Sequence, residues 1–81
     1  MAYRILFSVQ FKKDYDSLDK SMQIIVDKKL ERILEKPTLS KPLEHSSGYY
    51  SERAKNLRIV FQIVGNEIWL MRVRERKKAY S

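Results

Sequence analysis

From residue 57 to residue 64 the large apolar side chains Leu57, Ile59, Phe61 and Ile63 occupy every second position, with Arg58, Val60, Gln62 and Val64 between them. A period of two is the mark of a strand with one face buried. Gly65-Asn66 follows, a dipeptide suited to a tight turn, so the chain is predicted to return as a second strand over residues 67–76. A hairpin of this kind cannot cover its own apolar face. The rest of the chain has to supply the cover.

The upstream half has the pattern to do so. Residues 3–7, rich in aromatic and branched side chains, read as a short strand. Ser8 is a suitable N-cap, and Phe11, Tyr15 and Leu18 then recur at helical spacing, with Lys12, Lys13, Asp14 and Asp16 on the wet side. Asp19 is a second N-cap. From Lys20 to Glu35, Met22, Ile25, Val26, Leu30, Ile33 and Leu34 form one apolar stripe, and Pro37 ends the helix. The charges on both helices read as solvated faces with no assigned chemistry. Residues 37–48 form a turn-rich connector, and residues 49–55 a strand of imperfect alternation.

The expected fold is therefore α+β, one domain over residues 1–81 with the order β-α-α-β-β-β. An antiparallel sheet carries a helical hairpin on one face and leaves the other open. Arg58 then lies on the open face. Arg72, Arg74 and Arg76 cannot all be buried, so they are expected beside it, which assigns Trp69, Met71 and Val73 to the core side.

Charge supports a function for that face. Residues 1–48 hold nine Lys/Arg against seven Asp/Glu, whereas residues 49–81 hold eight against three. Arg72, Arg74, Arg76, Lys77 and Lys78 oppose the single acid Glu75, with Tyr80 just beyond. Clustered guanidinium groups next to a stackable ring suit RNA. The absence of cysteine and the single histidine leave no thiolate or histidine-based metal site, and no cofactor is expected. His45 lies in the connector and is expected to be exposed and inert. No apolar stretch reaches the length of a membrane span, and the chain is expected to be soluble and cytoplasmic.

The order of elements, the segments Gly48-Tyr49-Tyr50-Ser51-Glu52-Arg53 and Leu57-Arg58-Ile59-Val60-Phe61-Gln62-Ile63, and the ending Arg74-Glu75-Arg76-Lys77-Lys78-Ala79-Tyr80 resemble the RelE family of toxins, within the wider RelE/ParE superfamily. The resemblance extends over nearly the whole chain, including the helix ending at residues 30–37. It implies a small basic, metal-free ribonuclease that enters the ribosomal A site and cuts mRNA by attack of a ribose 2′-OH on the adjacent phosphate. It also implies a cognate RelB-like antitoxin that wraps the toxin in a hetero-oligomer.

By the same resemblance, the family's catalytic positions fall on Arg53, Arg58, Arg74 and Tyr80, the last orienting or stacking on a nucleotide. Arg76 matches a further basic position. Lys55, Arg72, Arg76, Lys77 and Lys78 are expected to hold the RNA backbone. One position departs: a basic residue of well-studied members is Ser51 here, which carries no charge. Glu52 is expected to turn toward the helices and to need a basic partner or an irregular strand. Two other readings share the fold. One is a toxin of the ParE branch, which blocks DNA gyrase and cuts no RNA; the other is a degraded member that only binds.

Overall fold

In a computed structural model, residues 3–37, 41–42 (backbone only) and 48–75 are described. The elements are β1 (Arg4–Phe7), α1 (Val9–Asp16), α2 (Lys20–Glu35), β2 (Lys41–Pro42), β3 (Tyr49–Ala54), β4 (Leu57–Val64) and β5 (Glu67–Glu75). The strands form one sheet in the order β1-β5-β4-β3-β2. Two features go beyond the sequence reading. β2 is a two-residue strand inside the connector, pairing with β3 at Ser51 and Tyr50. β1 joins β5 in parallel, which makes an otherwise antiparallel sheet mixed.

Both expected N-caps form. Ser8 Oγ accepts from the Phe11 N–H at 3.0 Å, and Asp19 Oδ1 accepts from the Met22 N–H at 2.9 Å. Each satisfies one of the amides that a helix start leaves without a partner. α2 ends before the buried Pro37, as the proline demands.

The helical hairpin packs on one face of the sheet. Phe11, Val26 and Ile33 meet Leu57, Ile59 and Phe61 from β4 and Ile68, Leu70 and Val73 from β5, all buried. Tyr50 joins them, stacked on Phe61 at 5.7 Å between ring centroids. Leu34, expected in the stripe of α2, is exposed at its rim. Glu52 does face the helices, where Lys29 Nζ lies 3.4 Å from its Oε2.

β5 corrects the expected parity. Ile68 and Leu70 are buried against Ile63 and Phe61, whereas Trp69 lies opposite Gln62, on the face away from the helices. The register then shifts: Phe61 pairs with Leu70 but Val60 pairs with Arg72, leaving Met71 as an extra residue. This β-bulge resets the alternation, so Val73 is buried again and Arg74 points outward. Trp69 and Met71 are therefore not core-side residues, while Val73 is.

The β3–β4 turn is Lys55-Asn56, with Lys55 at φ 57°. A side chain in this region costs roughly 1–2 kcal/mol, and glycine's extra unfolded-state freedom returns roughly 0.5–1 of that. Lys55→Gly should therefore raise stability by about 0.5–1 kcal/mol, seen in thermal melts as a shift of about 2–8 °C. A lower melting temperature would contradict this reading of the turn.

Candidate nucleic-acid interface

Register brings the predicted residues together. Arg53 in β3 lies directly opposite Arg58 in β4, which lies directly opposite Arg74 in β5. All three are exposed on the face away from the helices. Neighbouring strands are about 4.8 Å apart, so the row is about 10 Å wide, within reach of one or two phosphates. Like charges placed directly across a ladder destabilise it. None of the three takes part in an ion pair among the described residues, whose three pairs are Arg4–Glu67, Lys29–Glu52 and Arg72–Asp14. A row of uncompensated guanidinium groups is a surface shaped for an anion.

The next row along the strands is Ser51, Val60 and Arg72. Ser51 is buried between Lys41 of β2 and Val60 of β4, so it offers neither charge nor an open hydroxyl. Arg72 stands apart from the other arginines. Its Nε donates to Asp14 Oδ2 at 2.7 Å and its Nη2 to Oδ1 at 3.4 Å. Its charge is therefore compensated by α1, unlike those of Arg53, Arg58 and Arg74. Lys55 is exposed in the turn at the arginine end. Arg76, Lys77, Lys78, Tyr80 and His45 lie outside the described residues.

The third row is Tyr49, Gln62 and Trp69, with the Trp69 indole N–H donating to Glu67 Oε1 at 3.2 Å. The open face thus has a cationic end and an aromatic end, about 13 Å apart at about 3.3 Å per residue. Parity alone had assigned Trp69 to the core. The signal for its true place was the apolar run Ile68-Trp69-Leu70-Met71, which fits either parity and so leaves room for a bulge.

Asp14 was also missed. It lies three residues after Phe11 and four before Leu18, on the flank of the buried stripe rather than the wet side. Its side chain is only 12% exposed. Burial opposes its charge, but hydrogen bonds from Arg72, the Val73 N–H and Gln10, with the Arg72 charge, hold its carboxyl below the ordinary 3.8. Asp19 is lowered as well, chiefly by the Met22 N–H.

A carboxyl with a depressed native pKa contributes stability that is complete above the unfolded value and lost as pH falls through the folded one. Stability should therefore decline with acidification below about pH 4, and Asp14→Asn should make that decline shallower without abolishing Asp19's part. Urea midpoints against pH measure it; an unchanged slope in Asp14→Asn would contradict the assignment.

On the helix side, a groove of about 360 Å³ is lined by Phe7, Phe11, Tyr15 and Leu30, with Lys12, Asp16 and Asp27 at its edges. The Tyr15 hydroxyl donates to Asp27 Oδ1 at 2.8 Å, which raises the phenol's pKa. No cluster of three or more metal-ligating side chains occurs among the described residues, nor any helix long and apolar enough to cross a membrane.

Residues 5–80 match the family described as the ParE toxin of the type II toxin–antitoxin system parDE. The chain belongs to this toxin family. Solved structures agree on the fold. The toxin resembles a chain of the RelBE2 toxin–antitoxin complex from Mycobacterium tuberculosis, with a TM-score of 0.81 at 21% identity over 94% of this chain and 100% of that one. The intact RelBE complex of E. coli gives a TM-score of 0.79 at 24% identity, covering 91% and 96% of the two chains. The YoeB dimer of Staphylococcus aureus gives 0.76 at 26% identity, covering 91% and 97%. No curated protein matches the toxin in sequence.

Proposed function

We propose that the toxin is an mRNA endoribonuclease that acts in the ribosomal A site and is restrained by a RelB-like antitoxin. The observation that carries this reading is the in-register row Arg53–Arg58–Arg74, exposed and without acidic partners among the described residues. A fold gains nothing from three like charges side by side; a phosphodiester approaching its transition state does.

In the proposed reaction the 2′-oxygen attacks the adjacent phosphorus and loses its proton. A five-coordinate phosphorane forms with extra negative charge, then the P–O5′ bond breaks. The 5′-oxygen takes up a proton, leaving a 2′,3′-cyclic phosphate on one fragment. Arg58, at the centre of the row, is assigned to the phosphorane's equatorial oxygens. Arg53 and Arg74 flank it. Guanidinium groups keep their protons at physiological pH, so these arginines stabilise charge rather than serve as the base. Tyr80 is assigned to orienting the nucleotide, and Lys55, Arg76, Lys77 and Lys78 to gripping the backbone, with the salt dependence such contacts bring.

The antitoxin is proposed as partner because the similar toxins are found in RelBE complexes. The groove between β1 and the helices supplies apolar surface for a wrapping chain, in addition to the charge of the open face. Action on the ribosome implies a cytoplasmic location.

One observation favours a second reading. Ser51 is neutral and buried where a basic group is expected, and the carboxylates nearest the row in sequence, Glu52 and Glu75, lie on the helix side by register. A gyrase-directed toxin needs no general base. Induction in cells without antitoxin separates the two. Growth arrest with cuts in translated mRNA and intact chromosomes supports the nuclease; arrest with DNA breaks and intact mRNA supports the gyrase reading.

A further inference from the structure

The arginine row depends on one irregularity. Ile68 and Leu70 face the helices, so an unbroken strand would carry Arg72 and Arg74 to the same side and turn Val73 outward. The inserted Met71 reverses this. Bulges disrupt the local ladder, and here the outer edge of β5 is open as well, because β1 stops at Phe7, opposite Leu70.

The edge is closed from α1 and its cap. The Ser8 N–H donates to the Leu70 carbonyl at 3.0 Å and Ser8 Oγ to the Met71 carbonyl at 3.1 Å. Two turns further on, Asp14 Oδ2 accepts from the Val73 N–H at 3.2 Å and from Arg72 Nε at 2.7 Å. A single carboxylate therefore binds both residues that follow the bulge. Gln10 Nε2 steadies its other oxygen at 3.3 Å.

We propose that Asp14 is a positioning residue: by pinning the strand immediately after the Met71 bulge, it sets the face on which Arg74 is presented. Without Asp14, the buried Val73 N–H loses its acceptor and Arg72 loses its counter-ion. The end of β5 is then free to slip or fray, and Arg74 leaves the row. Asp14 touches no RNA; it acts through backbone register.

The functional readout rests on the RNA reading above, so the test has two arms. In the first, the full-length toxin binds a 2′-O-methylated single-stranded RNA that it cannot cleave. Asp14→Ala should weaken binding about tenfold, as should Arg74→Ala, the size of losing one charge-assisted contact. The double variant should be no weaker than either single one, because both remove the same contact. Asp14→Asn keeps an oxygen for the Val73 N–H and should stay within about threefold of the parent. Parental affinity in folded Asp14→Ala, additive losses in the double variant, or a tenfold loss in folded Asp14→Asn would each overturn the proposal.

The second arm is independent of RNA. In amide NMR spectra Asp14→Ala should shift the Val73 resonance and remove the cross-strand contact between Arg58 and Arg74, with core amides of β4 unchanged. If the parent binds no free RNA, as an enzyme that meets its substrate only on the ribosome would not, the nuclease reading is left to cleavage on ribosomes and this arm alone decides the positioning role. Retention of the Arg58–Arg74 contact in Asp14→Ala would sink the positioning role. Should Asp14→Ala not fold, the affinity of Asp14→Asn decides it.

Discussion

Arg58→Ala should reduce RNA cleavage by about 100- to 1,000-fold while leaving the fold as stable as the parent, or slightly more so. The first half follows from position. Arg58 is the middle of the row, directly opposite both Arg53 and Arg74, the position proposed to meet the phosphorane. Removing one well-placed donor to a transition-state oxyanion typically costs about 10²–10³ in rate. The second half follows from what Arg58 lacks. It is exposed and belongs to none of the ion pairs among the described residues, and it faces like charge on both sides. Its loss relieves repulsion and breaks nothing. Cleavage rates and thermal melts on the same samples check both halves. A variant as toxic as the parent would refute the assignment, and one that unfolds would show a structural role.

Phe61→Ala should have the opposite profile, a loss of stability large enough to deplete the folded toxin. Phe61 is fully buried at the centre of β4, stacked on Tyr50 and paired with Leu70 just before the bulge. Removing a buried phenylalanine ring costs about 3–5 kcal/mol, from lost transfer energy and the cavity left behind. Domains of this size have roughly 5–15 kcal/mol in total, so the melting temperature should fall on the order of 20 °C. Any drop in activity should track the folded fraction. A change below about 1 kcal/mol would mean that the core is not organised around this ring. Together the two substitutions separate the faces of β4, one holding the fold and the other proposed to meet the RNA.

Much of this was legible in the sequence because each element carries a pattern that its neighbours do not contradict. The alternation in β4, the caps Ser8 and Asp19, and the stop at Pro37 are local signals, and each is present as read. Arg53 faces Arg58 because the register of the β3–β4 hairpin follows from its short turn, whereas Arg74 joins them only through the extra residue Met71. The failures are non-local. Nothing in residues 3–7 says that β1 will lie parallel to β5, and nothing in the connector marks Lys41–Pro42 as an edge strand. The parity of β5 was misread because two requirements conflict within it. Ile68 and Leu70 belong to one alternation, Val73 and the outward Arg74 to the other, and only an extra residue at Met71 satisfies both. Asp14 escaped notice for a related reason. A carboxylate beside an apolar stripe reads as solvated until the strand edge that needs it is in place.

Cleavage of mRNA in the A site by the arginine row is measured on purified ribosomes programmed with a defined mRNA, with the cuts mapped by primer extension. With the parent toxin, primer extension should stop at new 5′ ends within the A-site codon, and these stops should vanish with Arg58→Ala and Arg74→Ala. Intact mRNA with the parent toxin, or equal cutting by the two arginine variants, would contradict it.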